Sequence, residues 1–91
     1  MKQYLIRVTG KVQGVWFGKY TQEKATELGL VGYVMNQEDD SVFLEAHGNE
    51  LQLDVLLHWL RTEGSPQSQV SDVCFEIATT PGNYTDFTIK R

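Results

Sequence analysis

The chain has 91 residues, 41% of them hydrophobic, with 8 basic against 12 acidic side chains and a formal net charge of -4. This length suits one domain, residues 1–91, able to bury roughly 60 to 65% of its unfolded surface without covalent staples. The lone cysteine, Cys74, excludes an internal disulfide, and the acidic balance argues against a generic nucleic-acid binder, which normally carries a basic face.

From the N-terminus, Tyr4, Ile6 and Val8 alternate with Gln3, Arg7 and Thr9, which predicts a strand from about Gln3 to Thr9. The opening MKQYLIRV lacks the apolar block of a signal peptide, and no apolar run approaches the ~18 residues of a membrane span, so a cytoplasmic protein is expected. A glycine-bearing loop, Gly10 to Phe17, leads into a helix over about Gly18 to Leu28, where Phe17, Thr21, Ala25 and Leu28 share a face and Gly29 closes the end. Val31 to Asn36 and Ser41 to His47 read as a hairpin joined by Gln37-Glu38-Asp39-Asp40. A second helix starts after Asn49, with Gln52 placed for a capping box and Leu53, Leu56, Leu57 and Leu60 as the buried stripe, and it ends at Gly64. Beyond the polar Gly64 to Gln69 connection, Val70 to Ile77 alternates as a strand, and a short strand with Phe87 and Ile89 follows a Pro81-Gly82-Asn83 turn. The order is βαββαβ plus a short C-terminal strand. This is the α+β, ferredoxin-like split βαβ arrangement, an antiparallel sheet with two helices on one face.

That fold hosts many activities, so the chemistry must come from sites. The loop between the first strand and the first helix is the prime candidate. Its glycines let successive backbone N–H groups turn inward, and the helix start adds unpaired N–H groups and a favourable dipole. Such a loop either binds an oxyanion or is a purely structural turn. It is neither a Walker loop, since no GK[ST] follows, nor the GxGxxG of dinucleotide folds. Asn36, at a strand end, reads on its own as a turn-former.

The stretch Gly10-Lys11-Val12-Gln13-Gly14-Val15-Trp16-Phe17 resembles the signature of the acylphosphatase family, G-x-V-Q-G-V-x-F-R, and Gly32-Tyr33-Val34-Met35-Asn36 resembles its second block, G-[aromatic]-V-x-N. The similarity extends across the chain to the Phe87-Thr88-Ile89 terminus. It implies hydrolysis of acyl phosphates to a carboxylate and inorganic phosphate, with no metal, no cofactor and no covalent intermediate. It also implies a phosphate-binding loop of Val12, Gln13, Gly14, Val15, Trp16 and Phe17, with Asn36 orienting the attacking water. The implied ligands are a small acyl phosphate, inorganic phosphate or sulfate, bound by a monomer with no nucleic acid and no membrane.

The chain departs from the family pattern at the catalytic position that follows Phe17, where Gly18 stands in place of arginine. Losing a guanidinium at a phosphoryl-transfer site costs on the order of 10³ to 10⁵ in rate. Weak or lost activity is therefore expected, and a noncatalytic anion-binding or regulatory domain is the alternative. An interaction domain for RNA or protein is disfavoured by the charge. Lys19, one ~100° step along the helix, is expected on the surface; Arg7, Lys11, Arg61 and Arg91 do not match the position. Asp40, where the family often has glycine, is expected to accept a left-handed backbone and leave the hairpin intact. The acids Glu38, Asp39 and Asp40 read as a wet turn, His47 and His58 as ordinary surface or strand residues, Cys74 as a buried or half-buried thiol, and Trp16 and Trp59 as packing residues.

Overall fold

The computed structural model describes residues 2–14, 16–78 and 83–90. Strand β1 (Lys2–Lys11) is followed by α1 (Phe17–Glu27), the hairpin strands β2 (Val31–Asn36) and β3 (Val42–Gly48), then α2 (Glu50–Thr62), β4 (Gln69–Ala78) and β5 (Phe87–Lys90). The sheet order is β4-β1-β3-β2-β5. β1 pairs antiparallel with both β3 and β4, and β2 with β3, as a split βαβ requires. The fifth strand departs from the expected antiparallel sheet: β5 pairs with β2 in parallel, which makes the sheet mixed at that edge. Pro81 and Gly82 of the expected turn lie outside the described residues, as do Val15 and Arg91.

Period-2 patterning sets which face is covered. Tyr4, Ile6 and Val8 of β1 meet Ala46, Leu44 and Val42 of β3 across the ladder, and all are buried together with Leu53, Leu56, Leu57 and Leu60 of α2 and Phe17 and Ala25 of α1. Both helices pack on this face, and the opposite face stays open. Each helix starts differently. Asn49 caps α2 by accepting the Leu51 N–H at 2.8 Å, while Gln52, the expected capping-box partner, is exposed. Trp16, at the N-cap of α1, provides no side-chain acceptor. The hairpin keeps its form with Asp40 left-handed at φ 71, as a short polar side chain allows. Asp39 organises this turn: its carboxylate accepts from the Ser41 amide and hydroxyl and pairs with Arg7. The Ser41 bonds, more than the Arg7 charge, hold its carboxyl below the usual range.

Of the alternatives expected for His47, surface or strand, the strand holds, while the expectations for Cys74 and Trp16 need correction. His47 lies in β3 with its side chain away from the surface. It is 1% exposed, with Nε2 2.9 Å from Glu45 Oε2 and its ring beside Tyr84, because the Tyr33 and Tyr84 rings roof this part of the open face. Cys74 is exposed, on the uncovered side of edge strand β4, where its Sγ lies 3.2 Å from Asp72 Oδ2. That hydrogen bond and the Asp72 charge push the thiol pKa up, opposite to what a nucleophilic cysteine needs. Trp16 is treated with the site below.

Tyr4 links β1 to α2 by donating to Asp54 Oδ1 at 2.8 Å, and its ring stacks on Phe75 at 5.0 Å between centroids. Burial first, and the Asp54 hydrogen bond second, push its phenol from 10.0 to about 12. The folded state therefore holds this proton more tightly than the unfolded state. The stabilisation is complete below about 10 and is lost as pH rises toward about 12. Urea midpoints measured across that range should fall, and Tyr4→Phe should flatten the part of the fall that this phenol contributes.

Candidate active site

The loop after β1 is pinned by two inward side chains and one lateral one. Val12 and Phe17 are each 1% exposed and bury their side chains in the core. The Phe17 ring sits against Gly64 at the end of α2, where an added Cβ would come 3.3 Å from Phe17 Cε1. Gln13 turns the other way: its Nε2 donates to the carbonyls of Gln37 and Ser41, both at 2.8 Å. The loop is thus tied to the β2–β3 hairpin that carries Asn36. Gly14 adopts φ 73 and Trp16 φ 62, so both residues of the loop sit in the left-handed region.

The loop borders a cleft of about 660 Å³ lined by Val12, Gly14, Trp16, Phe17, Gly18 and Lys19 on the loop and helix side, by Val34, Met35 and Asn36 from β2, and by Gln22, Ile89 and Lys90. Of the residues singled out from the sequence, Val12, Gly14, Trp16, Phe17, Gly18 and Asn36 line this one cleft, Gln13 braces it from behind, and Val15 lies outside the described residues. Asn36 ends β2 opposite Val42 and is exposed, and its amide has no partner among the described residues. The α1 N-terminus opens here with no acidic residue in its first turn and no capping side chain, so its N–H groups and dipole favour an anion.

Sequence reasoning missed Gln22, Met35, Ile89 and Lys90. Gln22 carried a usable signal, since it stands four residues after Gly18 on the same helix face; its Nε2 donates to the Phe87 carbonyl at 3.1 Å and fastens α1 to β5. Ile89 and Lys90 reach the cleft only because β5 joins β2 in parallel.

Two lysines stand at the cleft, and each is drawn to another group. Lys19 Nζ is 3.9 Å from Glu23 on the exposed helix flank, and Lys90 Nζ sits 4.3 Å above the Tyr33 ring on the open face of the sheet. Arg7 is engaged by Asp39, and Arg61 lies over Phe75. At position 18 an added Cβ would meet, among the described residues, only Ile89 Cγ2, at 4.0 Å, so the first atom of a side chain is accommodated there at the edge of the cleft.

The expectation that both tryptophans pack holds only for Trp59, which is 9% exposed; Trp16 is 74% exposed at the cleft rim. Its left-handed backbone directs the indole outward while Phe17 turns in.

Fold and cleft define a small ferredoxin-like α+β protein whose first strand-to-helix loop faces an asparagine from the second strand. The family model for acylphosphatase matches residues 4–89. An acylphosphatase of Thermotoga maritima is 48% identical over 90 residues, spanning 99% of this chain and 98% of the relative, and acylphosphatase-1 of Gallus gallus is 46% identical over 92% of this chain and 87% of its own length. The crystal structure of acylphosphatase from Bacillus subtilis superposes with a TM-score of 0.96 at 34% identity, each chain covered in full. The chain belongs to the acylphosphatase family of enzymes.

Proposed function

We propose that the cleft hydrolyses small acyl phosphates slowly, by a loop that keeps its phosphate donors and a helix start that has lost its charge. The observation that carries this reading is the convergence on one cleft of Gly14, Trp16 and Phe17 from the loop and Asn36 from β2. Loop and helix N–H groups hold the phosphoryl oxygens. The Asn36 side-chain oxygen accepts a hydrogen bond from a water and aims it at phosphorus. As the water oxygen bonds to phosphorus, the bond to the acyl oxygen breaks and a carboxylate leaves. The water's proton passes to a phosphoryl oxygen, so no strong protein base is needed. Fixed donors are suited to this, since phosphoryl transfer asks mainly for positioning and charge neutralisation.

Gly18 favours a second reading, a domain on the same scaffold that binds an anion without turning it over. The net charge of -4 supports a small-molecule ligand over nucleic acid. No helix among the described residues is long and apolar enough to cross a membrane. We place the protein in the cytoplasm as a single-domain monomer.

Phosphate release from acetyl phosphate, followed at high protein concentration against the uncatalysed rate, tests the reading. Asn36→Ala should lower the residual rate about 10²-fold or more while leaving phosphate affinity near its starting value. Unchanged turnover in Asn36→Ala would remove the asparagine from the mechanism, and binding without any turnover in the parent would favour the noncatalytic domain.

A further inference from the structure

Trp16 does nothing for the core, and its placement needs a reason. An indole offers some 150–250 Å² for burial, yet this one is 74% exposed while its neighbour Phe17 is 1% exposed. It also sits at φ 62, ψ 18, a left-handed conformation that bulky residues rarely adopt. Neither feature helps the fold.

The indole lies where two hollows meet. It lines the cleft described above, and it also lines a shallower groove of about 300 Å³ with Lys19, Tyr20 and Glu23. Tyr20 is itself 40% exposed. On the far side of the cleft Ile89 supplies apolar surface. Within the groove Lys19 and Glu23 stand 3.9 Å apart and leave it close to neutral.

We propose that Trp16, with Tyr20 beyond it, forms an acyl-group subsite that selects flat, uncharged acyl groups, above all aromatic ones. The inference rests on the phosphate reading of the same cleft. A phosphate held by the loop amides must project its acyl group out of the concavity, and Trp16 stands at the rim it crosses. A planar acyl group lies on the indole face and covers surface that is otherwise wet. A small acyl group such as acetyl does not reach far enough to do so. Trp16 is thus a specificity residue through its side chain, whereas its backbone N–H belongs to the phosphate loop and remains in any non-proline variant.

Calorimetric titration with benzoylphosphonate, acetylphosphonate and inorganic phosphate, none of them hydrolysed, separates the two ideas. The parent should bind benzoylphosphonate roughly three- to tenfold tighter than acetylphosphonate, the range expected of one aromatic stacking contact. Trp16→Ala should abolish that preference, bringing the affinities for the two phosphonates together, and Trp16→Phe should retain most of it. Benzoylphosphonate should also quench the emission of Trp16 and leave that of the buried Trp59 in Trp16→Phe unaltered. Equal affinity for the two phosphonates, or equal weakening of both in Trp16→Ala, overturns the subsite and leaves the phosphate reading intact. If neither phosphonate nor phosphate binds the parent, both readings fall.

Discussion

Gly18→Arg should raise the turnover of acetyl phosphate by about 10³ to 10⁵, a barrier reduction of about 4 to 7 kcal/mol. The position accepts a Cβ, which among the described residues would meet only Ile89 Cγ2 at 4.0 Å, and it lines the cleft that the rest of the side chain would enter. The backbone accepts it as well, because position 18 lies in the first turn of α1 and is not among the left-handed glycines. The gain should come without loss of stability, arginine being a better helix former than glycine by several tenths of a kcal/mol. Initial rates of phosphate release under saturating acetyl phosphate provide the readout. The cations already at the cleft are not expected to replace a guanidinium, Lys19 standing 3.9 Å from Glu23 and Lys90 over the Tyr33 ring. If the parent already turns over at ordinary enzymatic rates, one of them is serving after all and the role given to Gly18 is wrong.

The largest loss of stability should follow Gly32→Ala. A Cβ at this position would lie 1.8 Å from the Glu45 carbonyl oxygen and 2.9 Å from its carbon, and the residue sits at φ 138, a conformation that L side chains rarely adopt. Both obstacles are backbone, so no rotamer change relieves them. Gly32 is also held from the other side, donating its N–H to the Asp86 carbonyl at 2.9 Å as β5 joins the sheet. We expect the substitution to cost roughly 3 kcal/mol or more, read from urea denaturation. Any refolded variant should show a displaced Asn36, since β2 must move away from β3 and Asn36 shares that ladder through Val42. A variant within about 1 kcal/mol of the parent would mean that the strands separate easily here. The glycine that opens the second motif is therefore there for strand packing, and it serves the site by fixing where Asn36 ends up.

The parts of the fold legible in the sequence are those governed by short-range periodicity. Tyr4, Ile6 and Val8 at period two, and Phe17, Thr21 and Ala25 at helical spacing, announce faces that the structure buries. The parallel pairing of β5 was not legible, because Phe87 and Ile89 alternate in the same way whichever strand they join. The burial of His47 within its strand was not legible for a related reason: its cover comes from Tyr33 and Tyr84, brought over it from other parts of the chain. In the site, the loop and Asn36 were legible as motifs, and the structure brings them to one cleft. The bracing role of Gln13 was not, since a glutamine in a glycine-bearing loop says nothing about which carbonyls it will reach. Trp16 shows the limit most clearly. An aromatic beside another aromatic suggests two packing residues, and only the left-handed turn at position 16 separates one that anchors from one that faces the cleft.

The central claim is that the loop between β1 and α1 is a phosphate site independent of the missing charge. Titrating inorganic phosphate into the isotopically labelled protein and following its amide resonances tests that claim most directly. Saturable shifts should appear at the backbone amides of Gln13, Gly14, Trp16, Phe17 and Gly18 and at the side-chain amide of Asn36, and should be sparse elsewhere. Shifts confined to the surface lysines, or none at all under concentrations that saturate Gly18→Arg, would contradict it.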